Sequence, residues 1–475
     1  MITLDYDEKS RKGKLSCEDS SIFGLIRNHF SVKKAGSYYI KKVNKHIPDR
    51  DYAIGSNGSF DFGLEDDIQK FIREKQLGEV EYTEAFRKRV YVQFGIVLSM
   101  SDTLRYDLRE YQRETLECAF SSHHGTIVSA TGSGKSLLQA SLLQTYKEKV
   151  SDDFKCLLVV PGLSLVDQLM GDFEDYGVTF TYSGWTGGTN PQDTQVIIAN
   201  SENLCSQFSN FKWLTEVDLV ITDECHKVNT SSKLAKVLHK IKTPYKFGFT
   251  GTLPKALMDK WKVIGTFGRV IYEKKSKELR DEGYLSNAII KIIKLNHSLK
   301  IKGYEEELQF IHESSLRNNM IKVLVKRLDK NVLILVNRLE HGNNLLAALE
   351  LEGKEVYFIN GEMPVEERQS ITNKMEIQDN IVCIAMSKIF STGINIKNLH
   401  YIMFVSGGKS FIRTIQSIGR GLRLHDSKDQ LVLFDIYDNL KYSKRHVEER
   451  KQFYTEEQIP WKESEINLLG KLILK

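Results

Sequence analysis

Ser129-Ala130-Thr131-Gly132-Ser133-Gly134-Lys135-Ser136 lies between a short apolar run, Thr126-Ile127-Val128, and the stretch Leu137-Leu138-Gln139-Ala140-Ser141-Leu142-Leu143. Strand, small-residue loop and helix in that order make a phosphate cradle. The glycines let backbone N–H groups approach a phosphate, and the new helix N-terminus adds the positive end of its dipole. Thr131, Gly132, Ser133 and Gly134 are expected to wrap the phosphates of ATP. Lys135 would reach them as a point charge, and the Ser136 hydroxyl would ligate magnesium. The usual first glycine of this pattern is Ser129 here. An ordinary strand-to-helix turn is the bland alternative, and the Gly-Lys-Ser ending argues against it.

Working outward, 475 residues are too many for one ordinary core, so two or three domains are expected. A hydrophobic content of 41% with 27% charged residues describes a soluble globular chain. The net charge of +5 is compatible with a nucleic-acid partner without requiring one. The six cysteines form no Cys-x-x-Cys pair, which argues against zinc-ribbon and thioredoxin chemistry and leaves reduced thiols as the expectation. The start, Asp5-Tyr6-Asp7-Glu8-Lys9, is too charged for a signal peptide, and no apolar run reaches membrane-spanning length. A cytoplasmic protein is expected.

Residues 1–100 are rich in Lys, Arg, Tyr and Phe and predict a small α+β domain, with a hairpin turn at Asn57-Gly58 and a helix from Leu64 to Lys75. Tyr38-Tyr39-Ile40-Lys41-Lys42 mixes aromatic and basic side chains in the manner of a base-stacking surface, although core and surface packing is the commoner reason for such a mixture. From 104 to 275 apolar strands alternate with amphipathic helices, and the same texture fills 276–475. Candidate strands are 126–129, 156–160, 196–199, 219–222 and 246–249, then 332–336, 355–359, 381–385, 401–405 and 430–434. Such alternation predicts an α/β fold of two tandem parallel-sheet units. The tail from Asn439 onward reads as an amphipathic helix with apolar Val447, Phe453 and Tyr454, equally suited to packing on the second unit or to DNA.

A second phosphate-site element should end a neighbouring strand. Val217-Asp218-Leu219-Val220-Ile221-Thr222 runs into Asp223-Glu224-Cys225-His226, which places two carboxylates at a strand tip, where ligands of parallel sheets bind. Asp223 would hold magnesium and Glu224 would orient or deprotonate the attacking water. A helix cap is the alternative for an isolated Asp-Glu pair.

These two motifs together resemble a superfamily 2 helicase of the DExH type, whose lobes are RecA-like. Leu108-Arg109-Glu110-Tyr111-Gln112 resembles its adenine-reading element, with Gln112 on the base. Pro161, Ser164, Gln168 and Gly187 fall in stretches resembling its first strand-contacting motifs. Thr250-Gly251-Thr252 resembles the motif that couples hydrolysis to movement. In the second unit, Asn337, Arg338, Gly361 and Thr392 fall in stretches resembling further nucleic-acid contacts, and Gly393 is placed at the nucleotide. Gln416, Arg420 and Arg423 resemble the motif that presents arginines to the γ-phosphate, and the two arginines, three apart, share one helix face. Two positions depart from the pattern: Glu202 stands where Gln is common, and Asn395 where Asp is common.

Shorter stretches, including Lys397-Asn398-Leu399-His400 and Phe62-Gly63-Leu64, are similar to the phage UvsW group of branched-DNA helicases. That resemblance implies an ATP- and magnesium-dependent enzyme of replication, recombination or repair, phage-encoded and working on forks and junctions in the cytoplasm of a bacterial host. An RNA helicase, a restriction-nuclease motor, and a duplex-DNA translocase or nucleotide-switched DNA-binding protein without strand separation are the alternatives. The nuclease reading lacks an Asp/Glu-x-Lys element in residues 50–100, and the full set of ATP-site elements argues against an inert switch.

Overall fold

The computed structural model describes residues 1–34, 49–90, 102–122, 124–299, 301–349, 353–387, 389, 396–406 and 430–468. The chain forms two compact units, one of Met1–Ala130 and Gly134–Lys274 and the other of Thr131–Ser133 and Lys275–Lys475.

The N-terminal region holds β1 (Ile2–Asp7), β2 (Lys12–Cys17), β3 (Ser31–Lys33), β4 (Arg50–Tyr52), β5 (Ser59–Asp61) and β6 (Val80–Tyr82). Four of these make a mixed sheet in the order β5-β2-β1-β6, and β3 pairs with β4 separately. The turn expected at Asn57-Gly58 is present. Gly58 has φ +82° and lies so close to Leu15 that a Cβ there would sit 2.0 Å from its carbonyl oxygen, so only glycine fits. Asn57 Oδ1 accepts from Ser59 N at 3.1 Å and fixes the turn. The helix Glu65–Glu74 buries Ile68, Phe71 and Ile72, the stripe its spacing predicts. This core is not self-contained, because it also packs on Ile264 and Trp261 of the helix Leu257–Phe267.

The rest of the first unit is a seven-stranded parallel sheet: β7 (His124–Ser129), β8 (Cys156–Val160), β9 (Tyr182–Trp185), β10 (Val196–Asn200), β11 (Leu219–Thr222), β12 (Lys246–Thr250) and β13 (Val270–Lys274), in the order β13-β7-β12-β11-β8-β10-β9. Side chains alternate between two cores. Leu158, Val160 and Ile198 pack into one, and Leu157, Val159 and Ile197 into the other. Burial on both faces is why these strands read as unbroken apolar runs.

The second unit repeats the plan with β14 (Asn287–Asn296), β15 (Val332–Val336), β16 (Glu355–Ile359), β17 (Ile381–Met386), β18 (Tyr401–Phe404), β19 (Gln430–Asp438) and β20 (Trp461–Asn467). The order is β16-β17-β15-β18-β19-β14-β20, again parallel throughout. Two RecA-like parallel sheets behind a small α+β region are thus the observed fold.

Three strands at sheet edges, β9, β13 and β20, and the interior strand β14 were not among the candidate strands. The tail also needs correction. Lys441–Glu456 is the expected helix, with Val447, Phe453 and Tyr454 buried, but Trp461–Asn467 is a strand rather than more helix. Arg450, one of the tail's cations, is buried against Asp435 at 2.7 Å, and Lys451 bridges Glu448 and Glu463. These two charges hold the helix to the sheet and are not offered to DNA.

Candidate active site

The site is built where the strands of the first sheet end. β7 delivers the phosphate loop, β11 delivers Asp223 and Glu224, and β12 delivers Thr250. Gly132 and Gly134 take φ of +86° and +78°, the left-handed conformation that turns successive N–H groups inward. The helix Lys135–Lys149 starts at once behind them. Lys135 Nζ donates to the Ser129 carbonyl at 3.3 Å, so the lysine lies back over its own loop.

Gln112 is buried in the first turn of the helix Glu110–Ser121, where its Oε1 accepts from Arg109 N at 3.0 Å. A Cβ added at Gly134 would come within 2.7 Å of Gln112 Nε2. The glutamine therefore packs on the joint between loop and helix.

Asp223 and Glu224 are adjacent carboxyls with different proton affinities. Burial, and then the neighbouring Glu224 charge, push Asp223 up to about 6, against the pull of Lys135. Burial acts on Glu224 in the same direction, but the hydrogen bond from His226 and the charge of Lys135 overcome it and hold Glu224 at about 2. Glu224 also has a left-handed backbone, φ +48° and ψ +46°, which costs a non-glycine residue roughly 1–3 kcal/mol and re-aims its side chain.

His226 was quoted in the sequence without a role. Its Nδ1 lies 3.2 Å from Glu224 Oε2 and 2.9 Å from Thr250 Oγ1. Thr250 Oγ1 donates onward to the Thr252 carbonyl at 2.8 Å, so the single Nδ1 proton is shared between Thr250 Oγ1 and Glu224 Oε2. The acidic strand tip and the Thr250-Gly251-Thr252 loop are therefore joined through one ring nitrogen. Gln139 Nε2 donates to Asp223 Oδ1 at 3.3 Å, and Ser136 Oγ lies 2.8 Å from the Tyr176 hydroxyl. The first is legible in principle, four residues past Lys135 on one helix face. The second joins residues forty apart and has no sequence signal.

Pro161, Ser164, Gln168 and Gly187 also lie past strand ends, after β8 and β9. Ser164 and Gln168, four apart on the helix Leu163–Tyr176, are exposed together on one face. Glu202 is exposed in the first turn of the helix Ser201–Gln207, which Asn200 caps. In the second unit, Asn337 and Arg338 follow β15 and Gly361 follows β16, all three exposed. Arg338 approaches Glu305 to 4.0 Å, and Gly361 accepts through its carbonyl from Arg368 at 3.0 Å. Thr392, Gly393, Asn395, Gln416, Arg420 and Arg423 lie outside the described residues, as does the stretch from Tyr38 to Lys42.

Residues 105–255 match the family model of the type III restriction enzyme res subunit, and residues 315–425 match that of the helicase conserved C-terminal domain. The chain is 26% identical to the ATP-dependent DNA helicase UvsW of Enterobacteria phage T4, over 96% of this chain and 97% of that protein. It is 25% identical to the helicase/translocase subunit XPB of the general transcription and DNA repair factor IIH of Dictyostelium discoideum, over 73% of this chain and 45% of that one. Among solved structures, the ATP-dependent type ISP restriction-modification enzyme LlaBIII bound to DNA superposes with a TM-score of 0.59 at 13% identity, over 82% of this chain and 32% of that one, a likeness of fold. No helix among the described residues is long and apolar enough to cross a membrane.

Proposed function

Because the chain belongs to the superfamily 2 helicases of the DExH type and is similar to phage UvsW, we propose that its ATP-driven DNA unwinding is directed to branched DNA, at forks and junctions of replication, recombination or repair. The observation that carries the motor reading is the linked pair of strand tips, Glu224–His226–Thr250, beside the phosphate loop. Lys135 and the loop N–H groups bind the phosphates of ATP. Glu224, ionised across the physiological range, orients the attacking water and accepts its proton as the bond to phosphorus forms. His226 reports the state of that carboxylate to the Thr250 loop.

The residues present fit magnesium. Ser136 and Asp223 offer a hydroxyl and a carboxylate, hard oxygen donors of the kind that hold this ion while phosphate and water complete its shell. Asp223, raised to about 6 beside a second carboxylate, is a group that a cation would relieve. Bound there, the ion would neutralise charge on the phosphates. Arg420 and Arg423 are proposed as the γ-phosphate arginines, with Gln416 beside them. Gln112 and Gly393 are proposed at the nucleotide, and Pro161, Ser164, Gln168, Gly187, Asn337, Arg338, Gly361 and Thr392 along the strand. Residues 1–100, 104–275 and 276–475 are proposed as accessory domain, first lobe and second lobe.

The preference for branches is assigned to the N-terminal region. Motor lobes grip a strand through its phosphates, which carry little information about branching. The exposed Arg73, Lys75 and Arg87 supply additional positive charge. The test is strand displacement on fork, four-way and blunt linear DNA at one fixed salt concentration, with matched RNA forks alongside. Replacing Arg73, Lys75 and Arg87 together by alanine should lower the fork-to-linear ratio and leave ATP turnover on single-stranded DNA unchanged. Equal activity on all three DNA substrates, or faster displacement of RNA, would reject the assignment.

A further inference from the structure

A cavity lies at the opposite end of the first sheet, where its strands begin, between that sheet and the N-terminal region. Its lining includes Arg11 from the turn between β1 and β2, Arg89 from the helix Glu84–Val90, Lys246 at the start of β12, and Asp61 with Lys262. Asp61 is the one carboxylate in the lining among the described residues. It is already taken, by Lys262 at 2.6 Å and Lys12 at 4.0 Å.

Lys242, also in the lining, is paired with Glu216, whereas Arg11, Arg89 and Lys246 have neutral partners. Arg11 donates to the carbonyls of His239 and Lys240. Lys246 Nζ donates to the carbonyls of Leu238 at 2.7 Å and Ile241 at 2.9 Å. Arg89 lies over the rings of Tyr6 and Phe62 at 5.4 and 5.6 Å, and its buried Nε has no hydrogen-bond partner among the described residues. The carbonyls are the last of the helix Lys233–Lys240 and its cap, whose dipole offsets part of the charge of Arg11 and Lys246, but neither they nor the ring faces supply a counter-ion. Burial, and then Arg89 and Arg11, push Lys246 down to about 7. Lys246 is buried and Arg11 and Arg89 are half-buried, so three cations share partly desolvated space with no carboxylate among the described residues in hydrogen-bond contact, which is costly.

We infer that this cavity is a binding site for a single phosphate group, held by Arg11, Arg89 and Lys246. The cavity offers about 40 Å³ to the centres of water-sized groups, where one water needs roughly 10–15 Å³. That is room for a phosphate head. The shared chemistry is a phosphate monoester dianion, either free orthophosphate or the terminal phosphate of a DNA end. Arginine forks and an ammonium are the donors that suit it. The site is remote from the phosphate loop, because β7 and β12 present one end to the loop and the other to this cavity.

The test is calorimetric titration of the full chain carrying Lys135→Ala, which removes the phosphate-loop lysine. Orthophosphate should bind with a stoichiometry near one, and sodium chloride at matched ionic strength should give no heat of binding. Adding Lys246→Met should weaken the affinity at least about tenfold, the loss of one hydrogen bond to a charged group. Arg89→Gln should do the same, and stands in if the first variant does not fold. A second arm compares one oligonucleotide with a 5′-phosphate and with a 5′-hydroxyl. Tighter binding of the phosphorylated form that Lys246→Met abolishes identifies a DNA end as the ligand. Equal binding of the two, with orthophosphate still bound, identifies the free ion. No heat with orthophosphate, or the same affinity in both variants, would overturn the site.

Discussion

At the scale of single residues, the acidic pair sets the chemistry and also weakens the fold. Lys135→Ala should abolish ATP turnover, because the phosphates lose the ammonium nearest to them. Glu224→Gln should still bind ATP and lose roughly 10²–10⁴ in turnover, the usual worth of a positioned base. Retention of the wild-type rate by that variant would remove Glu224 from the mechanism. Asp223 carries a stability prediction of opposite sign. Burial and the Glu224 charge hold its carboxyl well above the usual carboxylate range, so the charged form is disfavoured in the fold. The cost is full above pH 6 and vanishes as the pH falls below about 4. Asp223→Asn should therefore raise the thermal midpoint at pH 8, by about 2–4 °C for each kcal/mol recovered, while abolishing activity. Calorimetry at pH 8 and pH 5 checks the sign, since the gain should shrink at the lower pH.

Among elements, the helix Leu257–Phe267 is shared between the N-terminal core and the first sheet. Gly63 makes that sharing possible. A Cβ there would meet the Ile264 carbonyl oxygen at 2.2 Å and Gly268 N at 2.7 Å, both backbone atoms that cannot swing aside. Gly63→Ala should cost on the order of 1–3 kcal/mol through overpacking and loosen the N-terminal region selectively. Hydrogen exchange should quicken in β1 and β2 while β8 and β10 keep their protection. Uniform protection in the variant would mean that the two cores are not coupled at this contact. The same shared core makes truncation at residue 100 a poor experiment, because it would expose Trp261 and Ile264 to water.

For the whole molecule, ATP turnover is proposed to require both units. A fragment ending at Lys274 keeps the phosphate loop, Asp223, Glu224 and the Thr250 loop but lacks Arg420 and Arg423. Arginines of this kind contribute roughly 10³–10⁵ in related phosphoryl-transfer sites. The fragment should thus bind ATP and turn it over with no stimulation by DNA. Robust DNA-stimulated hydrolysis by it would sink the two-unit mechanism.

What the sequence determined by itself is whatever a short window encodes. Glycines before Lys135, two carboxylates after an apolar run, and strands buried on both faces announce themselves locally, because each needs particular residue types at fixed spacing. Cys156–Val160, Leu219–Thr222, Val332–Val336 and Glu355–Ile359 were readable to the residue. Tertiary structure alone decided the rest. β20, Trp461–Asn467, is exposed along most of its length and carries no apolar pattern. It is a strand because β14 offers it a row of unpaired backbone groups from Ile290 to Asn296. The bond between His226 and Thr250 joins the tips of neighbouring strands that sequence does not pair. The cluster of Arg11, Arg89 and Lys246 brings together three scattered cations, each unremarkable in its own window. Their charges become a site only when two layers close over them and shut out the water that would otherwise screen each one.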